Sequence, residues 1–488
     1  MSRIESKASV AFFVLILLLV QPLRAEEAPA LPQKSNLVGS NVRPLSSSVA
    51  TEIVEPLPPL PKGPLFLTGT TAEQLTPDYW INRLAKPDRV LKTPKELELF
   101  NHEILVMAPK RIDIFSWPFS WRGVDIADQL QLEYSTVENR KLFDARDQTR
   151  YVSKDFFTNN VKPLVQLEVL PKQIALKWGV AIRPTSVRAL PITVKLLEEV
   201  GDIEFDQLQF SLIKLWTPVA IFHKSKDGKW LYVQAPYVRG WVKTEDIAYF
   251  SNRGSLHKMV KQDPFLVVLG ESVPVFSEPG HSTVFQKPSM GTILPLVGKD
   301  EFNYIVSLPA RGAGGAVTFR KGYVSRQSDV REGFPPFTQR NAIRQAFKLL
   351  GARYGWGGMY SGRDCSGFTH DVFLSMGIDM PRDSNDQSMV GTQLGHFEPR
   401  QDAEGKLTTL RSATEGIALL KMPLHQMLYL GEVEGKFFVI HSTWAERVSM
   451  TSDEKRRINQ VVVSDLSLNG NSYLGSLFDR IISINEIN

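Results

Sequence analysis

The sequence predicts an α+β chain of several domains, in which a helical region precedes two small β-barrels and a C-terminal domain of mixed type. Three observations lead there. At 488 residues the chain has room for three or four domains of ordinary size. Apolar positions recur at helical spacing up to about residue 176 and then give way to short β-rich runs broken by turns. Beyond residue 334 a helical period begins at the chain's lone cysteine, and a hairpin pattern carrying two histidines follows. A content of 43% hydrophobic and 22% charged residues supplies several cores and excludes a disordered or fibrous chain. The net charge of +5 is scattered, with no basic run interleaved with aromatics, so no nucleic-acid partner is expected. A mild basic balance suits an anionic polymer or an envelope surface.

Arg3 and Lys7 precede an apolar run from Ala8 to Val20, and a small residue, Ala25, follows. This is the pattern of a secretory signal peptide over 1–25; the run is short for a membrane span, although an uncleaved anchor stays open. Residues 26–66, with Pro56, Pro58, Pro59, Pro61 and Pro64, read as an extended tether. Residues 67–178 carry helix signals: Thr93 caps, Pro94 takes the first helical position, and Leu97, Phe100, Ile104 and Leu105 follow at helical spacing. His102-Glu103 lacks a second histidine four residues on from the first, so it reads as a surface helix pair.

Residues 179–252 give short strands at Val219 to Phe222, Trp230 to Val233 and Gly240-Trp241-Val242, with a turn at Lys226-Asp227-Gly228. Residues 253–333 repeat the pattern and end on Gly322-Tyr323-Val324, which suggests two related barrels in tandem. The final domain, 334–488, opens with a helix that Thr338 caps and whose face holds Ile343, Phe347 and Leu350.

Cys365 stands at the start of a second helix that keeps Phe368, Val372 and Met376 in period. One cysteine forms no disulfide within the chain, and counting alone leaves it either a buried apolar residue or a reactive thiol. A helix N-terminus favours thiolate and predicts a lowered thiol pKa. Of the eight histidines, His370 lies on a different face of the cysteine's helix and reads as solvated, and His396 reads as a loop residue. His425 opens a strand and His441 lies in the next; a hairpin symmetric about residue 433 sets them directly opposite each other. A base oriented by a second polar group is what a cysteine nucleophile needs. Two paired histidines without chemistry, or a metal site of Cys365, His425 and His441, stay open, although the latter lacks a fourth ligand.

Taken together, Tyr354-Gly355-Trp356-Gly357-Gly358, Asp364-Cys365-Ser366-Gly367-Phe368, Pro381-Arg382-Asp383-Ser384 with Gln387, His425 before Tyr429-Leu430-Gly431, and His441 resemble the NlpC family of cell-wall endopeptidases. The likeness extends upstream to multidomain members, covering nearly everything after the tether. It implies a papain-like α+β catalytic domain preceded by a helical stabilising domain and two small SH3-like β-barrels. It implies Cys365 as nucleophile, His425 as base and His441 as the third polar residue. The implied reaction is hydrolysis of the γ-D-glutamyl bond to a diamino acid in peptidoglycan stem peptides, without a cofactor, by an exported monomer of the periplasm or cell envelope. By motif, Asp364 is expected to pair with a free L-alanine ammonium, Tyr354, Trp356, Ser366 and Ser384 to line the pocket, and Tyr237 of the first barrel to wall it. The segment Ile417 to Met422 and the residues Pro423-Leu424 before His425 depart from the family's Gly-Asp and His-Val-Gly pattern. Two alternatives follow: an inert wall-binding protein, or an amidase or acyltransferase using the same thiol.

Overall fold

The computed structural model describes residues 65–67 and 69–488, so the expected signal peptide and all but the end of the tether lie outside the described residues. Among the described residues no helix is long and apolar enough to cross a membrane. Helix α1 (Pro94–Met107) begins at a reciprocal cap: Thr93 Oγ1 accepts the Glu96 N–H at 3.4 Å and Glu96 Oε2 accepts the Thr93 N–H at 2.7 Å. Its buried stripe, Phe100 and Ile104, joins Trp80 and Ile81 in the core of the C-terminal domain, against Ile343, Phe368 and Phe438. Helix α2 (Gly123–Glu138) instead buries Ile126, Leu130 and Tyr134 in a core shared with Trp178, Tyr232 and Trp241 of the first barrel and Leu266 and Val306 of the second. The stretch that reads as one helical unit thus serves two cores.

Seven strands follow: β1 (Lys177–Ala181), β2 (Thr185–Arg188), β3 (Gln209–Ile213), β4 (Pro218–Lys224), β5 (Trp230–Ala235), β6 (Val238–Lys243) and β7 (Ile247–Phe250). They form an antiparallel sheet in the order β7-β1-β4-β5-β6-β2-β3. After α3 (Arg253–Val260) a second seven-stranded sheet spans residues 265–332, so the tandem repeat read from the Gly-aromatic-Val endings has its counterpart in the fold.

The C-terminal domain contains α4 (Gln339–Phe347), capped by Thr338 Oγ1 accepting the Asn341 N–H at 3.1 Å, then α5 (Cys365–Leu374) and α6 (Ser384–Gln387). Its sheet holds β8 (Thr392–His396), β9 (Ala418–Met422), β10 (His425–Val433), β11 (Lys436–Arg447), β12 (Lys455–Asp465) and β13 (Ser483–Glu486), in the order β8-β13-β9-β10-β11-β12. Phe368, Val372 and Phe373 of α5 pack on Leu419, Leu428 and Ile440 of this sheet. Each such side chain contributes roughly 1.5–3 kcal/mol on burial, which fixes where the helix start sits relative to β10.

The β10–β11 register differs from the symmetric hairpin. Val433 pairs with Lys436 across a two-residue turn in which Glu434 (φ +52°) and Gly435 (φ +75°) are both left-handed, and a bulge separates Tyr429 from Gly431. Beyond the bulge Leu428 pairs with Ile440, which sets His441 level with residue 427, so that His425 lies diagonally across from it and not directly opposite. The offset is even, so both side chains stay on one face.

Candidate active site

Helix α5 starts at Cys365 because Asp364 caps it, its Oδ1 accepting the Gly367 N–H at 2.7 Å. The same carboxylate accepts the Gly357 N–H at 2.9 Å and both Arg382 Nη groups, at 2.8 and 2.6 Å. A lowered thiol pKa is not what this setting produces: burial pushes the Cys365 thiol up to about 11, the Asp364 carboxylate adds to it, and the Gln426 N–H, Lys421 and Arg382 oppose. The cap carboxylate takes the Gly367 N–H, and its negative charge offsets the helix's positive potential at sulfur. Cys365 Sγ lies 3.9 Å from the carbonyl of Leu424.

That carbonyl belongs to a tight turn. Met422 pairs with His425 across Pro423-Leu424, and Leu424, with φ +61°, is 94% exposed. His425 Nε2 meets His441 Nδ1 at 2.7 Å, with ring centroids 4.9 Å apart. His441 Nε2 reaches Ser464 Oγ at 3.1 Å. Burial pushes His441 down to about 3; His425 is held well below the usual imidazole range by burial, then by His441, Arg480 and Lys421. The contacts admit a continuous run in which His441 accepts from His425 and donates to Ser464; in that tautomer His425 Nδ1 carries no proton. Ser464 carries no signal of its own in the sequence; it is delivered by the pairing of β11 with β12.

The expected pocket residues divide. Asp364, Ser366, Tyr354 and Trp356 gather at the start of α5, with Ser366 Oγ accepting from Arg382 Nη1 at 3.1 Å. Ser384 opens α6, which Gln387 ties to α5 through Thr369 (2.6 Å) and the Ser366 carbonyl (2.9 Å). Tyr237 is set apart. Its ring packs on His370 at 5.1 Å, and it faces an interdomain cavity of about 1020 Å³ whose lining does not include Cys365, His425 or His441. His370 is buried, its Nδ1 3.0 Å from Asp371 Oδ1, so its reading as solvated is corrected: the first barrel covers that face of α5. His396 closes β8 instead of lying in a loop.

The first barrel's contribution comes instead from the loop before β3. Phe205 sits among Tyr354, Trp356 and Trp444, with ring centroids 6.1, 5.5 and 5.1 Å away. Buried Glu204 accepts from Arg353 (2.6 Å), Trp444 (2.9 Å) and Asn459 (3.2 Å). Gln209 donates to the Gly357 carbonyl at 2.9 Å, and a Cβ on Gly357 (φ +55°) or Gly358 (φ +80°) would come within 2.7 or 2.6 Å of Gln209 or Leu212. The glycines of the Tyr354 to Gly358 segment therefore admit the barrel. Their pattern could have flagged a close approach but not its partner, some 150 residues away.

Where the sequence departs from its family pattern, polar groups are buried. Lys421 is 2% exposed, donates to the Met422 carbonyl at 2.8 Å, and pairs across the strands with Gln426. Gln426 is fully buried, and its Oε1 and Nε2 have no hydrogen-bond partner. Among the described residues no group of three His, Cys, Asp or Glu side chains is arranged to hold a metal ion.

Comparison with known proteins agrees with this geometry. The chain is 31% identical over 156 residues to the gamma-D-glutamyl-L-lysine dipeptidyl-peptidase of Bacillus cereus (strain ATCC 10987 / NRS 248), a match covering 31% of this chain and 44% of that protein. It is 32% identical over 101 residues to the enzyme of the same name from Bacillus subtilis (strain 168), covering 20% and 31%. The chain thus spans less than half the length of either relative. An NlpC/P60 endopeptidase from Photobacterium damselae subsp. piscicida shares the fold, with a TM-score of 0.67 over 88% of this chain and 98% of that one at 17% identity. An SH3 domain model of the SH3b1 type matches residues 197–243, and the NlpC/P60 family model matches residues 351–467. With the fold and both matches in agreement, residues 351–467 form a domain that matches the NlpC/P60 family of cysteine peptidases, and the SH3b1-type domain of residues 197–243 docks beside the helix that bears Cys365.

Proposed function

We propose that the chain is an endopeptidase that hydrolyses the γ-D-glutamyl bond to the diamino acid of peptidoglycan stem peptides, with Cys365 as nucleophile, His425 as base and His441 as the group that orients it. The observation that carries this reading is the 2.7 Å contact of His425 Nε2 with His441 Nδ1, on the strand whose entry turn abuts Cys365. With Nε2 so engaged, Nδ1 is the nitrogen free for the thiol proton. The resting pair is a neutral thiol and a neutral imidazole, so His425 removes the proton as sulfur attacks the γ-carbonyl carbon. First-turn N–H groups of α5 are suited to the developing oxyanion. The imidazolium then protonates the departing amine. Water, deprotonated by His425, releases the thioester as L-Ala-D-Glu.

A preference for a free N-terminal L-alanine draws on the Glu204-Phe205 loop, whose Phe205 ring packs against Tyr354 and Trp356. Asp364 takes part as an ion pair with Arg382, so an ammonium would meet that pair and not a bare carboxylate. Ser366 and Ser384 line the same side. Tyr237 has a role at most through His370. A substrate in the wall implies an exported protein that binds peptidoglycan. Purified protein given L-Ala-γ-D-Glu-diaminopimelate is expected to release L-Ala-D-Glu, and its N-acetyl form is expected to react at least about 10-fold more slowly. Product masses showing cleavage at another bond would sink the assignment. The inert wall-binding reading draws on the raised thiol pKa; it predicts binding to sacculi with no peptide turnover.

A further inference from the structure

Three arginines meet at one end of the C-terminal sheet. Arg447 closes β11, which runs past the start of β10 at His425. Arg480 stands just ahead of β13, whose first residue, Ser483, pairs with Lys421 next to the Met422–His425 pair. Arg400 joins them through its N–H to the Asp479 carbonyl and its guanidinium to the Tyr473 carbonyl. Topology therefore brings all three to the end of the sheet at which His425 begins its strand.

Their charges are not balanced. Arg447 is paired with Asp453 at 2.6 Å, but Asp453 also holds Lys455 at 2.9 Å. Asp479 is occupied by Ser476, at 2.8 Å from its N–H and 2.7 Å from its hydroxyl. Arg480, half-buried, forms no ion pair or side-chain hydrogen bond among the described residues. Burial pulls it down to about 10, and the neighbouring Arg447 and Arg400 add to the effect. A desolvated guanidinium among like charges is costly unless an anion completes it.

His425 gives this cluster a direction. The imidazolium must hand its proton to the departing amine, so the leaving fragment lies on the His425 side of the scissile bond. We infer that Arg480, backed by Arg447 and Arg400, binds a carboxylate of the leaving diamino acid, and so selects diaminopimelate, whose side chain ends in a carboxylate, over lysine, whose side chain has none. Guanidinium and carboxylate match as a two-pronged pair, which lysine, bearing the same side-chain ammonium but no carboxylate beside it, cannot form. The inference rests on the endopeptidase reading for the identity of the leaving group, and it departs from the lysine named in the two Bacillus relatives.

The test uses the full chain carrying Cys365→Ala, and calorimetric binding of L-Ala-γ-D-Glu-meso-diaminopimelate against the same peptide with its side-chain carboxyl amidated. Amidation is expected to weaken binding by about 10- to 100-fold, the worth of a charged hydrogen-bonded pair. Adding Arg480→Gln is expected to shrink that ratio to under about 3-fold, and Arg480→Lys to restore part of it. A ratio under about 2-fold with Arg480 present, or a large ratio that persists in Arg480→Gln, overturns the site. Should Arg480→Gln fail to fold, the amidation ratio with Arg480 present decides alone. Turnover by the Cys365-bearing chain separates the two readings. Hydrolysis of both peptides at equal kcat/KM sinks the carboxylate site and spares the endopeptidase. No hydrolysis of either, with the binding ratio intact, sinks the endopeptidase and spares the site.

Discussion

Two clusters of buried polar groups lie at opposite parts of one helix, α5, and they are built in opposite ways. At Asp371, about 9 Å along α5 from Cys365, every charged group has a partner. Lys214 of the first barrel (2.9 Å), Arg363 (2.8 Å) and His370 (3.0 Å) all contact its carboxylate. Lys214 also reaches Ser289 at 2.9 Å, and Arg363 the Glu271 carbonyl at 3.1 Å, so one carboxylate ties three domains together. At the helix start the two histidines hold only each other and Ser464, with no carboxylate partner among the described residues. Groups that are fully paired are fixed in charge; groups that are paired only by exchangeable protons can move one. The contrast separates the helix's structural end from its reactive end.

The largest effect that would break this contrast is on stability. Asp371→Ala strands two cations in the interior and is expected to cost about 3–5 kcal/mol, read from thermal or denaturant unfolding. A loss under about 1 kcal/mol would mean that the node holds nothing together. At the reactive end, His441→Gln should leave stability nearly intact but lower kcat/KM about 100-fold, equal to about 2.7 kcal/mol, with KM little changed.

Acid sharpens the comparison further. The folded-state pKa of His441 lies near 3 while an unfolded imidazole binds its proton near 6.5, so the unfolded chain takes up more protons between those values. Stability attributable to His441 is therefore present above about pH 6.5 and lost as pH falls, at up to about 1.4 kcal/mol per unit. His441→Gln should flatten that slope in unfolding curves recorded from pH 7 to 4. The smallest change is Ser464→Ala, which removes the last acceptor in the run and should slow turnover by a few-fold; an unchanged pH profile would reduce Ser464 to packing.

Much of the reactive end is written locally. Asp364 before Cys365, the period Phe368-Val372 and the hairpin around Glu434-Gly435 each act over a few residues, so helix start and shared histidine face are legible. The register was not, because the bulge between Tyr429 and Gly431 leaves no compositional mark and shifts everything beyond it. Nor was the thiol's environment: the dipole argument is local, whereas burial and the Arg382 pairing of Asp364 come from tertiary packing. Glu204 and Phe205 reach partners some 150 to 250 residues away, and Tyr237, in the same barrel, turned out to face another cavity. Docking between domains is set by surfaces, which a periodicity does not report.

The most direct measurement compares the parent chain with Cys365→Ala, both incubated with L-Ala-γ-D-Glu-diaminopimelate and followed by product mass. Release of L-Ala-D-Glu by the parent, falling by at least about 1,000-fold in a Cys365→Ala protein of unchanged melting temperature, is the expected result. Release at the parental rate without the thiol would contradict the assignment of Cys365.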